Sequence, residues 1–454
     1  MPLSSLTFTV LTLPVLLLLY YCIPEKGKQW YLLAGSLVIY GWGSPVRVLY
    51  PAAFLFFDFG VGLLLERHAR KRTLCTVLLA LSAVTQTAAM ALIRYAAFLN
   101  GRTFFPFGIA VYSLQGLAYL IGVYRKRHPA AVRIQDLALY LFLFPVLYAG
   151  PLMNYVEFSE QLGKRRTNII GLSEGLGIFI RGLAEKVILA DTFGFLFREL
   201  RQTPTGSMSM LTAWLTTIAF SLYLYFELMG YAEMARGIGK CFGFELPRNF
   251  SHPFFCPGIT AFMQSWNITV LLWFQTNFRH FLLGGAQKKW QSYAGQVLTW
   301  VLIGAWYGMR LQFLLWGLCI GLLLVFEQTV LERYIRRHYI FGVLYALITV
   351  QFSWVLFYTG SLGEAGQYWR AMLGFGAGLA DRSGIYFLTS YAAILLLGLY
   401  TATDLFRNIT ERLATTRVGQ GMQILTPVIH AGLLIFCLGS MLYTDREPML
   451  WLLL

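Results

Sequence analysis

The sequence predicts an all-α, polytopic integral membrane protein with about 11 transmembrane helices and several re-entrant or interfacial ones. Three observations predict it. First, 57% of the 454 residues are hydrophobic and 13% are charged, against about 25% charged in a soluble domain. Mean hydropathy is +0.60. Second, apolar runs of about 20 residues recur from end to end, each long enough to cross a ~30 Å hydrocarbon core as a helix. The alternating ten-residue strands of an outer-membrane barrel are not seen. Third, the basic residues sit in short clusters between those runs: Arg67, Arg70, Lys71 and Arg72; Arg125, Lys126 and Arg127; Lys164, Arg165 and Arg166. That placement is the flanking pattern of membrane spans, so the net charge of +15 points to the lipid bilayer and away from nucleic acid.

Taken in order, the runs lie near 5–22, 29–44, 46–65, 74–98, 105–123, 135–153, 173–197, 208–232, 260–283, 294–308, 312–333, 338–360, 384–404 and 425–443. The opening "MPLSSLTFTVLTLPVLLLLYYC" has no positive n-region and no small-residue cleavage site, so it is expected as a first span and not as a removed signal. If each early span crosses, the basic loops at 24–28, 66–72 and 124–128 share one face. The rule that cytoplasmic loops are basic then puts the N-terminus outside. The run at 135–153 holds Pro145, Gly150 and Pro151 and is expected not to cross fully, because a crossing there would place "GKRRT" (163–167) on the wrong face. No internal repeat of a two-halved transporter is visible. Six scattered cysteines without a CxxC pair suggest neither a disulfide framework nor a metal site.

Five stretches are unusual for plain spans. In 105–128, Gln115 and Tyr119 stand at i, i+4 on one face, either as a polar packing seam or as a cavity wall. In 143–162, two prolines forbid a regular helix, and broken backbone at membrane depth needs protein or a cavity around it. In 222–254, Glu227 and Glu233 follow an apolar run, with Arg236 in reach of Glu233. Acidic groups at that depth face a partner or a cavity, and they also suit a secondary transporter. In 259–285, Trp266 and Trp273 are expected on one helical face, with Gln264 and Asn267 beside them. The fifth, "GAWYGMRLQFLLWG" (304–317), reads as the start of a hydrophobic helix carrying Trp306, Tyr307 and Arg310. Among six histidines, His68, His128 and His338 lie in basic clusters and read as solvated, while His430 alone looks buried. No GxSxG, HExxH or Walker loop occurs.

Taken together these stretches resemble the membrane-bound O-acyltransferase (MBOAT) family, in its branch of alginate O-acetylation and teichoic-acid D-alanyl transfer proteins. "FPFGIAVYSLQGLAYLIGVYR", "LFPVLYAGPLMNYVEFSEQL", "GIFIRGLAEKVILAD" and "YFELMGYAEMARGIGKCFGFELPRNF" match the family's motifs in order. The resemblance implies a single membrane domain over 1–454, with N-terminal helices at 1–104, a core at 105–330, C-terminal helices at 331–454 and a central cavity or tunnel. It also implies residence in a bacterial inner or plasma membrane, with no bound cofactor. The donor would be an acyl thioester, acyl-CoA or an acyl carrier protein on the cytoplasmic side. The acceptor would be a surface polymer, or the partner an extracytoplasmic acyltransferase.

Two departures bear on chemistry. Where the family has Arg-Arg-Trp-His the chain has Gln264-Ser265-Trp266-Asn267, and where it has Arg-Asp after the next tryptophan the chain has Gln275-Thr276. Asparagine at the first polar position also occurs in other branches. At the second, the family's Leu-Trp-His-Gly carries the histidine taken as general base, and Tyr307 stands there between Trp306 and Gly308. A base works best with a pKa near the operating pH, where histidine lies at about 6.5 and tyrosine at about 10. Arg310 is the nearest cation in sequence that would favour a phenolate. Two readings follow. One is an MBOAT protein with family-type catalysis reduced or lost. The other is a working O-acyltransferase in which Tyr307, or a histidine such as His280, replaces the base.

Overall fold

The computed structural model describes residues 1–99, 108–279, 288–308, 310–403 and 417–443. Among these the chain is helical, without strands. Six helices are long and apolar enough to cross a membrane, and a seventh if the pair Arg382–Ser390 and Ala392–Thr401, bent by 58°, is one span. About 11 crossings were expected. Part of the difference has a local cause: several apolar runs are cut into shorter helices by proline, glycine or a strained residue.

The chain divides into two compact units, and the first comprises residues 1–183, 231–248 and 441–454. It opens with α1 (Leu13–Cys22), α2 (Glu25–Gly41), α3 (Leu49–Arg67), α4 (Arg72–Leu99) and α5 (Ile109–Tyr124). The next run breaks as its prolines require. It gives α6 (Ile134–Phe142) and α7 (Phe144–Ala149), of 9 and 6 residues. At 1.5 Å per residue neither is half a bilayer long, so 135–153 does not cross as one helix. Then come α8 (Tyr155–Lys164) and α9 (Ile169–Ala184). Polar contacts brace this unit, one of them fully buried. The Asp58 carboxylate of α3 accepts from Gln86 Nε2 of α4 at 2.6 Å, and Gly116 of α5 leaves room for that carboxylate. Lys28 donates to Glu25 at 2.6 Å and to Thr167 at 2.9 Å. His128 corrects an expectation: it is not a solvated loop residue. Its ring stacks on Tyr119 at 5.6 Å and lies 4.9 Å from that of Tyr155.

The second unit comprises residues 184–230 and 249–440. It begins at a π-helical turn, Glu185–Ala190, leading into α10 (Asp191–Arg201). Residues 210–230 of the long, mostly buried helix α11 (Met210–Cys241) belong to it. Then come α12 (Ile259–Ser265), α13 (Ile268–Trp273), α14 (Lys289–Tyr307) and α15 (Leu311–Phe326). A π turn at Glu327–Leu331 continues α15 into α16 (Glu332–Arg337), followed by α17 (Tyr339–Tyr358) and α18 (Leu362–Met372). The pair named above forms α19 (Arg382–Ser390) and α20 (Ala392–Thr401), and α21 (Arg417–Tyr443) is last. His430, expected to be buried, is only half-buried on α21.

Candidate functional site

The run at 260–283 is not one helix. Its start is fixed by Glu327, whose carboxylate accepts from the N–H groups of Ile259 at 2.6 Å and Thr260 at 3.1 Å. Free N–H groups at a helix start carry partial positive charge, so a buried carboxylate there is well matched. The helix α12 stops at Ser265, and Asn267 takes the left-handed conformation at φ 44°, ψ 52°. Asparagine is one of the few non-glycine residues that tolerates it. Asn249 then caps α13: its Oδ1 accepts from Thr269 N at 3.0 Å and Thr269 Oγ1 at 2.7 Å. The break means that Trp266 and Trp273 do not share one helical face, contrary to the sequence reading.

The break brings Asn267 to Tyr307. Asn267 Nδ2 donates to the Tyr307 hydroxyl at 3.0 Å, with both residues buried. The hydroxyl keeps its own proton for donation. Asn267 Oδ1 is also buried and has no hydrogen-bond partner among the described residues. Tyr307 is the last residue of α14. "GAWYGMRLQFLLWG" is therefore a helix end, a turn and a second helix, and not the start of one. Gly304 and Gly317 set the α14–α15 spacing, since a Cβ on either would collide with backbone of the facing helix. Aromatic rings surround the tyrosine. Trp306, Phe357 and Trp316 lie 5.1, 5.6 and 5.7 Å away, centroid to centroid. Trp354 stacks on Trp316 at 5.7 Å and meets Trp266 at 5.2 Å.

A cavity of about 90 Å³ lies in the same unit, lined by Thr260, Gln264, Gln275, Gln296, Thr299 and Gln328 among others. Among the described residues, no charged side chain lines it. Neither Asn267 nor Tyr307 lines it; the link is Trp300, a wall residue whose ring is 6.0 Å from Trp316. Gln264 and Gln275, which the resemblance sets where the family has arginines, both line this cavity.

Trp266 is buried in the aromatic cluster, while Trp306 and Trp273 are half-buried. Arg310 is exposed at the start of α15, beyond the turn at Gly308, and not on the helix of Tyr307. His280 lies outside the described residues. Glu227 is fully buried and pairs with Lys186 at 2.9 Å; Lys186 also meets Asp191 at 2.5 Å. Sequence spacing gave no hint of Lys186. In the first unit, Glu233 is held by Arg236 as its i, i+3 spacing implied, at 2.5 Å. The two glutamates offered for a transporter thus each have a cation. Gln115 and Tyr119 are buried on α5, where Gln115 Nε2 donates to the Tyr140 carbonyl at 3.3 Å and Tyr119 accepts from Ala131 N at 3.0 Å.

Known proteins share this chain's sequence over much of its length. Residues 123–362 match the model of MBOAT, the membrane-bound O-acyltransferase family. The chain is 29% identical over 418 residues to the probable alginate O-acetylase AlgI of Pseudomonas fluorescens, covering 89% of this chain and 83% of that one. It is 29% identical over 301 residues to the peptidoglycan O-acetyltransferase of Helicobacter pylori, covering 59% and 57%. It is 25% identical over 225 residues to the teichoic acid D-alanyltransferase of Bacillus subtilis, covering 46% and 56%. A multi-pass helical chain, matched by the family model over more than half its length, belongs to the membrane-bound O-acyltransferase family.

Proposed function

We propose that this MBOAT protein serves O-acylation of a cell-surface polymer and that its family-type base catalysis is reduced. The observation that carries the proposal is the Asn267–Tyr307 hydrogen bond, 3.0 Å long, inside a cluster of aromatic rings. O-acyl transfer requires the acceptor hydroxyl to lose a proton as it attacks the thioester carbonyl. A neutral tyrosine already holding its proton is a donor and not a base. The pair therefore binds and orients: Asn267 Oδ1 accepts from an acceptor hydroxyl, and Tyr307 donates to an oxygen of the acyl group. Charge developing on that oxygen is stabilised by such a donor, and with no base at 307 the hydroxyl's proton passes to the thiolate that departs as the carbon–sulfur bond breaks, which leaves a lower but real rate. The relatives' names supply the acceptor class, a hydroxyl of an envelope polysaccharide or polymer. The donor is an acyl thioester delivered from the cytoplasmic face, as acyl-CoA or on a carrier protein. The protein resides in the cell membrane with its N-terminus outside, alongside an extracytoplasmic acyltransferase or its polymer.

The test is acyl transfer by purified, reconstituted protein supplied with acetyl-CoA and an oligosaccharide acceptor. Tyr307→His is expected to raise turnover about 10²-fold, the lower end of what a positioned base contributes. Equal turnover in the two proteins overturns the proposal. A second reading, full activity with Tyr307 as the donor to the reacting oxygen, predicts the opposite: turnover falls in Tyr307→His and is abolished in Tyr307→Phe.

A further inference from the structure

The first unit carries another cavity, of about 290 Å³, that shares no residue with the site above. It lies where α3 and α5 end and α4 begins. Leu65, Cys75 and Val123 supply apolar walls, and Arg72, Arg125 and Lys126 supply cations. Tyr124 forms a further wall, braced by a 2.9 Å hydrogen bond between its hydroxyl and Thr76. The two stretches that meet here, 66–72 and 125–127, hold seven arginines and lysines against one carboxylate, Glu66. Burial lowers the pKa of the Arg125 guanidinium, and the charge of Arg127 lowers it further.

Two further observations narrow the ligand. Lys126 has φ 57°, the left-handed position that closes α5. Lys126 N donates to the Val123 carbonyl at 3.0 Å and Arg127 N to the Gly122 carbonyl at 2.9 Å. Glycine is the residue usual at that position of this helix ending. A lysine at that position carries a small backbone cost and sets its charge at the cavity. Next, α3 and α4 both qualify as membrane spans and expose Leu64, Leu74, Val77 and Leu81 along the helices that the cavity terminates. A ligand with a phosphate at one end and acyl chains at the other satisfies both surfaces.

We infer that this cavity binds the phosphate of an anionic phospholipid, with Arg72, Arg125 and Lys126 around the phosphate and the acyl chains along α3 and α4. The nucleotide portion of a thioester donor offers the same phosphate chemistry but gains nothing from the apolar helix faces.

The test uses the full chain in nanodiscs of phosphatidylcholine with a minor fraction of phosphatidylglycerol, followed by native mass spectrometry of the lipids retained. Phosphatidylglycerol is expected to be enriched about tenfold or more over its share, from the attraction of three cations near the bilayer surface. The triple substitution Arg72→Gln, Arg125→Gln and Lys126→Gln brings the enrichment close to parity. Arg67→Gln with Arg70→Gln, whose cations do not line the cavity, leaves it in place. Lys126→Gly removes one charge while easing the backbone, so it lowers the enrichment severalfold without loss of folding. Equal retention of both lipids by the unsubstituted protein overturns the inference, as does an equal loss in the Arg67/Arg70 control. Displacement of the bound phosphatidylglycerol by millimolar coenzyme A overturns the lipid assignment in favour of a nucleotide phosphate.

Discussion

Tyr307 and Asn267 form a two-residue unit whose parts are unequal in strength. Phenylalanine at 307 keeps the ring contacts but removes the acceptor of a buried N–H, which costs about 1–3 kcal/mol when a polar group is left unpaired. Tyr307→Phe is therefore expected to lower the thermal unfolding midpoint in detergent, and Tyr307→Phe combined with Asn267→Leu to recover part of the loss. A midpoint unchanged by Tyr307→Phe alone would mean that the hydrogen bond contributes nothing. His128 gives a pH-dependent counterpart. Burial lowers its pKa below the ordinary 6.5, which the hydrogen bond to the Pro129 carbonyl partly offsets and the charge of Arg127 reinforces. The unfolded chain thus takes up the proton more readily than the folded one. Stability is full above the unfolded value and falls as the pH drops through it toward the folded value. The unfolding midpoint should fall as the pH drops below about 6.5, and less so in His128→Gln. At this scale the sequence was half legible. The position of Tyr307 could be read from the residues beside it. The burial of His128 could not, because its basic neighbours mimic a solvated loop while Tyr119 and Tyr155 come from other elements.

At the scale of elements, breaks in the helices do more than their lengths. Pro145 and Pro151 announced the break that produces α6 and α7, since a proline's missing donor and fixed φ are local properties. The break at Asn267 carried a weaker mark, because asparagine favours caps and turns but does not by itself forbid a helix as proline does. What makes it stable is remote: Glu327 caps α12 from a position 67 and 68 residues away, and Asn249 caps α13 from 20 residues away. The same holds for Glu227, whose apolar surroundings demanded a cation but could not say that it was Lys186. Removing the cap tests this dependence. Glu327→Ala leaves two N–H groups of α12 without their charged acceptor. Hydrogen bonds to charged groups contribute about 1.5–3 kcal/mol each, and some of this returns when the buried carboxylate itself is gone. The expected net loss is about 2–4 kcal/mol in unfolding free energy, with Glu327→Gln losing less because its amide oxygen still accepts. Loss of the cap also frees the segment leading to Asn267, so acyl transfer should fall with stability in Glu327→Ala and be partly retained in Glu327→Gln. Equal stability of the alanine variant and the parent would show that the contact is incidental.

For the molecule as a membrane protein, the decisive quantity is which loops share a face. Positive charge retained in the cytoplasm sets orientation through loops close to the span ends. In the first unit, α3 and α4 each qualify as a full span, whereas α6 and α7, with 9 and 6 residues, do not. The chain that leaves α5 at Arg125 is therefore expected back on the same face by α8, with the basic stretch at 163–167 beside those at 66–72 and 124–128. A full crossing by 135–153 would instead separate Arg166 from Lys71 and Arg127. All three side chains are exposed, so each can be replaced by cysteine in a background whose six native cysteines are serine. A membrane-impermeant maleimide should label Lys71→Cys, Arg127→Cys and Arg166→Cys only when it reaches the cytoplasmic face. Val46→Cys, exposed in the turn between α2 and α3, should be labelled from the outside. Labelling of Arg166→Cys from the outside, with Lys71→Cys still protected there, would require the α6–α7 segment to cross. It would also leave one basic cluster on the face where the charge rule forbids it, so the short, proline-broken geometry and the charge pattern stand or fall in the same measurement.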